Sequence, residues 1–266
     1  MKISLCAALL ATALTSFAGR IQAQVLSPIS VTGFNLDPTY SDPSANQTDA
    51  NGNFQSFNFV TENYFGAGSY GLPDNGVIDS SGNTNATFQL QPYTQNNVLT
   101  LLNANGSPAD LPTTGTLTLT APGSYSNLSV LLTTAGSGGA NVTFNFSDST
   151  STTVNIGTLP YWIGGDPTAS GGVVASTALQ IYNNTNATLD EYDFALSPAD
   201  AAKTLDSVTF SFVGDAAGDN EDEPIGSLGI FALSGTAVPE PSTWAMLFGG
   251  LGVLAFIGRL RSKLIS

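Results

Sequence analysis

Between Asn141 and Phe146 the chain reads Asn-Val-Thr-Phe-Asn-Phe, small polar and apolar residues in strict alternation. Successive side chains of a strand point to opposite sides, so a period of two puts Val142, Phe144 and Phe146 on one face of an extended segment. The same period runs through Gly115-Thr116-Leu117-Thr118-Leu119-Thr120. Further strand-like runs stand at 98–102, 127–132, 151–156, 178–182, 189–194, 205–213 and 228–233, separated by stretches rich in Gly, Asn, Ser and Thr. Many short strands joined by turns define an all-β sandwich or barrel. Ser147-Asp148-Ser149-Thr150 has the composition of a hairpin turn between two of them. One helical turn is expected at 197–203, with Ser197 as its cap and Pro198 in the first helical position. The N-terminal third is less regular. Its stretches 38–53 and 66–85 read as long polar loops, the second holding Gly71-Leu72-Pro73-Asp74-Asn75-Gly76. Loops of that length in a compact domain are often functional or mobile.

Both ends differ from this body. Met1-Lys2 precedes an apolar stretch from Ile3 to Leu14, which reads as a secretory signal peptide over residues 1–23. Cleavage is expected after Ala23, within Gln22-Ala23-Gln24, with Ala18 as the alternative; Cys6 leaves with the signal. At the other end Val238-Pro239-Glu240-Pro241 leads into an uncharged run, 243–258, closed by Arg259, Arg261 and Lys263. As a helix the run is about 24 Å long at 1.5 Å per residue. A bilayer core is roughly 30 Å thick, so Leu260, Leu264 and Ile265 must extend the run while the basic side chains snorkel. The expectation is a single C-terminal transmembrane helix with Trp244 at one interface, the basic cluster cytoplasmic and the body outside. A buried C-terminal helix of the body is the competing reading, and the proline-flanked approach and basic end count against it. Pro239 and Pro241 keep that approach extended and open to a processing enzyme.

Pro239-Glu240-Pro241, the apolar run with Gly249-Gly250 and Gly252, and the closing basic cluster together resemble the PEP-CTERM sorting signal of exopolysaccharide-producing Gram-negative bacteria. The resemblance covers 238–266 and says nothing direct about the body. It implies recognition by an exosortase, a membrane transpeptidase-like enzyme, and cleavage near the tripeptide. The body would first be tethered to the inner membrane on its periplasmic side. After processing it would be released or attached at the cell surface.

Residues 24–237 make one domain. The chain has no histidine, and its single cysteine is Cys6. Disulfides are therefore excluded from the body, as are Ser-His-Asp hydrolysis, cysteine nucleophiles and thiolate or imidazole zinc. Lys203 is the only basic residue between Val25 and Val238, against nineteen acidic ones (all but Glu240), a net charge of −18 for the body. Such a surface repels nucleic acid and anionic lipid. It suits solubility outside the cell, divalent cations or neutral glycans.

A second resemblance rests on patterning across 115–235. It runs through Tyr125-Ser126-Asn127-Leu128, the hairpin from Phe144 to Ile156, Pro160-Tyr161-Trp162, Tyr192-Asp193-Phe194, Val208-Thr209-Phe210-Ser211-Phe212 and Ile230-Phe231-Ala232-Leu233. This order resembles the galactose-binding-like jelly rolls used as carbohydrate-binding modules, and implies an antiparallel, jelly-roll-like β-sandwich. Tyr161 and Trp162, at a strand end before Gly164-Gly165-Asp166-Pro167, are the candidate sugar-stacking pair. Capping of the core by Trp162 is the alternative. Asp215, Asp219, Glu221, Asp222 and Glu223, with Asn220 among them, are the candidate calcium ligands, since calcium takes six to eight oxygens. A solvated acidic loop is the alternative there. In Asp190-Glu191-Tyr192-Asp193, alternation puts Glu191 and Asp193 outward on one face. No catalytic residue and no cofactor beyond that calcium is assigned. The expected protein is an exported, non-catalytic cell-surface or matrix component, with an exosortase-like enzyme and exopolysaccharide as partners. A carboxylate-dependent glycan hydrolase, which needs neither Cys nor His, is the alternative.

Overall fold

The computed structural model describes residues 25–39, 57, 59–64, 70–102, 111–136, 138–181, 186–214, 226–238 and 251–252. Each of the strand-like runs from residue 98 onward forms a strand. These are β5 (Leu99–Leu102), β6 (Thr114–Gly123), β7 (Tyr125–Ala135), β8 (Gly138–Phe146), β9 (Ser151–Leu159), β10 (Val173–Gln180), β11 (Asn186–Ala195), β12 (Leu205–Gly214) and β13 (Ser227–Ala237). Four short strands precede them: β1 (Ser27–Ile29), β2 (Val31–Thr32), β3 (Val77–Asp79) and β4 (Thr87–Gln89). The helical turn is α1 (Pro198–Ala201), capped by Ser197, whose hydroxyl accepts from the Asp200 N–H at 3.1 Å.

The strands make two sheets and one hairpin, and all their pairings are antiparallel. The first sheet runs β1-β13-β7-β11-β10, with β5 also pairing with β13. The second runs β2-β6-β12-β8-β9, and β3 pairs with β4. The sheets enclose a core in which Leu117, Val142, Phe144, Val208 and Phe210 meet Leu128, Val130, Tyr192, Phe194 and Ile230. Val142, Phe144 and Phe146 all face it, as their alternation requires. Phe144 meets Phe194 edge-on across the layers, with ring centroids 5.4 Å apart.

The first sheet is covered on its other face too. Leu131, Leu189 and Phe231 point away from the sandwich core into a second cluster with Phe57, Phe59, Leu72, Ile78, Phe88 and Trp162. A third layer from the N-terminal third therefore lies over the sheet. This explains why β13 is buried from Ser227 through Gly235. Its central Leu-Gly-Ile-Phe-Ala-Leu has apolar residues at successive positions, as a strand with no wet face requires. Two sequence expectations change as a result. The stretch 66–85 holds β3, and its Leu72 and Ile78 are core. Glu191 and Asp193 do share a face, but the Ser80–Asn85 segment bonds across it, so Glu191 is buried.

The signal peptide (1–23) and the tail from Pro239 lie outside the described residues, apart from Leu251 and Gly252. Among the described residues no helix is long and apolar enough to cross a membrane. The two ends of the body run side by side. Ser27 of β1 pairs with Gly235 of β13, and the Thr236 hydroxyl donates to the Val25 carbonyl at 3.1 Å.

Candidate functional site

Trp162 is fixed by its backbone before its ring is considered. Its N–H donates to the Thr134 carbonyl at 2.8 Å and its carbonyl accepts from the Thr188 N–H at 2.9 Å, so it bridges the ends of β7 and β11. The indole then enters the third layer, edge-on to Phe57 (5.6 Å) and Phe59 (5.4 Å), and is 7% exposed. Tyr161, the preceding residue, is 41% exposed. The expected stacking pair is thus split, and only Tyr161 offers a ring to solvent. The arbiters, Phe57 and Phe59, stand about a hundred positions earlier in the chain.

The candidate calcium ligands Asp215, Asp219, Glu221, Asp222 and Glu223 lie outside the described residues, as do Pro239, Glu240, Pro241, Arg259, Arg261 and Lys263. Among the described residues no group of three or more His, Cys, Asp or Glu side chains could hold a metal ion.

The described carboxylates of most interest are on β11, where Asp190 and Glu191 are each 1% exposed. One oxygen of Glu191 accepts from the Ser129 hydroxyl at 3.0 Å and from the Asn83 amide at 3.1 Å. The same amide donates to Asp193 at 3.0 Å. Glu191 Oε2 and Asp190 Oδ1 are buried without a donor. Burial pushes the Asp190 carboxyl up to about 7, against the pull of Thr188. Burial, reinforced by the neighbouring Asp193 carboxylate, pushes Glu191 up to about 7. A carboxyl held protonated turns a lone acceptor into a donor, which is the arrangement Glu191 needs beside Asp193.

An open cleft of about 740 Å³ lies in the third layer, lined chiefly by Asn63, Asp74, Asn75, Gln89, Gln91 and Tyr93. Local bonds build it. The Asn75 side chain accepts from the Val77 N–H at 2.9 Å, closing the turn before β3. The Gln89 amide donates to the Asn75 carbonyl at 3.1 Å, and the Tyr93 hydroxyl to the Pro73 carbonyl at 2.8 Å. Asn63 bonds Asp74, whose N–H donates to Glu62 at 3.3 Å. Burial, with Asp74 and Glu62 nearby, pushes the Tyr93 phenol up, so it stays a neutral donor. The lining holds amides, hydroxyls and a carboxylate beside the apolar Leu90 and Pro92, and no basic side chain. Such a set can exchange hydrogen bonds with a neutral polyol and repels anions. The sequence drew attention to 66–85 by loop length alone. Gln89, Gln91 and Tyr93 carry no motif, and only the β3–β4 hairpin brings them to Asp74.

Residues 237–262 match the family model of the PEP-CTERM protein-sorting motif. The match begins at Ala237, the last residue of β13, and supports an exported protein sorted by an exosortase. No curated protein matches the chain. The all-β body fits a sandwich, and kinship with carbohydrate-binding modules is not shown.

Proposed function

We propose that the protein is a non-catalytic component of the cell envelope or extracellular matrix, delivered in two stages. The signal peptide exports the chain. Helix 243–258 then holds the body on the periplasmic side of the inner membrane, with Arg259, Arg261 and Lys263 cytoplasmic. An exosortase-like enzyme cuts near Pro239-Glu240-Pro241, and the body is released or attached at the surface. The observation that carries this reading is the sorting motif, which starts at Ala237, the last residue of β13. The mature C terminus tests it.

The body's partner in this reading is a neutral exopolysaccharide, taken up in the Asn63–Tyr93 cleft, with Tyr161 as a separate exposed stacking surface. Amide-rich, cation-free lining supports the ligand class. Removing one hydrogen-bonding side chain costs about 1 kcal/mol, roughly fivefold in affinity. Gln91→Ala and Asp74→Ala should each weaken binding of a purified neutral polysaccharide by about that factor in titration calorimetry. A blank glycan array, with and without calcium, would remove the glycan partner and leave the sorting untouched. Calcium-dependent binding would support a metal site, for which Asp215, Asp219, Glu221, Asp222 and Glu223 are the candidates. New reducing ends after long incubation with the polysaccharide would favour the hydrolase instead.

A further inference from the structure

The sorting joint is flush with a folded surface. β13 is bonded along both edges at Leu233, Ser234 and Gly235, to β1 on one side and to β7 on the other. Thr236 and Ala237 still pair with Asn127 and Tyr125 of β7, and the Val238 N–H donates to the Ser124 carbonyl at 2.8 Å. Pro239 follows at once. Enzymes that grip a peptide as an added strand need free backbone donors and acceptors. On the body side of the joint the first sheet has already taken most of them.

The reach of the chain is equally short. From Val238 to Thr243, the start of the uncharged run, are five residues, at most about 17 Å when fully extended. A membrane enzyme acting at the joint therefore meets the end of the sandwich. That end is continuous and braced. Ser124 sits in the β6–β7 turn, and its neighbour Gly123 pairs with Leu205. The Ser147 N–H donates to the Thr204 carbonyl at 2.9 Å. Lys203 reaches Asp200 and Thr150, both at 2.9 Å, and lies 4.9 Å from the centroid of the Phe146 ring. The body's one cation is thus spent inside this face, where Asp148 is exposed, which makes an anionic bilayer surface a poor partner for it.

We propose that this end of the sandwich, formed by the turns 123–125, 147–150 and 197–203, is the docking surface for the membrane-embedded processing enzyme. The enzyme abuts the folded body and reads its signal only from Val238 onward. The proposal rests on the exosortase-like processing proposed above.

A body without cysteine allows a direct test. The full chain carrying Cys6→Ser receives one cysteine at a time: Ser147→Cys or Ala199→Cys at this end, or Thr158→Cys at the far end of β9; all three positions are exposed. Each is coupled to a short photo-crosslinker in membranes holding an inactive form of the processing enzyme. Crosslinks to the enzyme are expected from 147 and 199 and not from 158. A flexible Gly-Ser spacer between Val238 and Pro239 should weaken those crosslinks severalfold while cleavage by the active enzyme persists. Equal crosslinking from 158, crosslinks to lipid alone, or crosslinks unchanged by the spacer would overturn the proposal. An uncut tail in the unaltered chain is a different result: it removes the processing itself and the proposal with it.

Discussion

Glu191→Gln should stabilise the protein near pH 8 by about 3 kcal/mol and roughly halve its loss of stability between pH 5 and 7. The carboxyl is 1% exposed, has no donor to Oε2 and sits beside Asp193. Its proton leaves near 7 in the folded protein and near the ordinary value of 4.5 in the unfolded chain. Between those values the folded state binds more protons, so raising the pH through this window costs stability, at about 1.4 kcal/mol per pH unit. Above the folded value the loss is complete and the curve flattens. Asp190, pushed from 3.8 to about 7 chiefly by burial, adds a loss of the same sign over a similar window. Three other carboxylates act oppositely below it. Bonds from Thr150 hold Asp148 down, bonds from Thr168 hold Asp166 down, and Lys203 and Ser197 hold Asp200 down. Their contribution is present above the ordinary aspartate range and is lost as the pH falls below it. Maximum stability is therefore expected in mildly acidic solution. Glutamine keeps an acceptor for Ser129 and Asn83, puts an amide donor where Oε2 stands, and does not titrate. Urea unfolding across pH 4 to 8 reads the effect, and an identical pH dependence for both proteins would contradict it.

Phe231→Ala should lower the unfolding free energy by about 3–5 kcal/mol. Phe231 projects from β13 into the third layer, with ring centroids 5.5 Å from Phe59 and 6.5 Å from Phe57. Gly229, two residues earlier on the same face, makes room for this packing, since a Cβ there would come within 2.9 Å of the Phe57 ring. The cavity left by alanine opens among aromatic rings whose backbones are pinned, Phe59 by its bridge to Ile181 and Trp162 by its bonds to Thr134 and Thr188. Trp162 shares the cluster and is the only tryptophan outside the tail. Its emission in the tail-free body should shift to the red in the variant as the third layer loosens. Val154→Ala, on the exposed face of β9, is the control and should cost no more than about 0.5 kcal/mol. Equal losses at the two positions would contradict a packed third layer.

The strands from β5 onward were legible because each carries its own period or apolar run, as did the Ser197 cap and the Ser147–Thr150 turn. β1 and β2 were not. Ser27-Pro28-Ile29 and Val31-Thr32 are too short to show a period, and become strands because the edges of β13 and β6 accept them. The third layer was illegible for a related reason. Phe57, Phe59, Leu72, Ile78 and Phe88 are scattered among polar residues, and their common destination is set by sheet residues far along the chain. The same layer decides the sites. It buries Trp162, covers Glu191 and assembles the cleft, none of which local spacing encodes. The tail is the reverse case. Its tripeptide, uncharged run and basic end are contiguous, so the sequence alone suffices to read them.

The central claim is that the body is exported and then cut from its tail, and mass spectrometry of the protein recovered from the cell surface or medium tests it most directly. The predicted species begins at Gln24, or at Gly19 if the signal is cut after Ala18. It ends close to Pro239-Glu240-Pro241 and lacks the run 243–258. A mature protein that retains 238–266 intact would contradict processing and leave the tail as a plain membrane anchor.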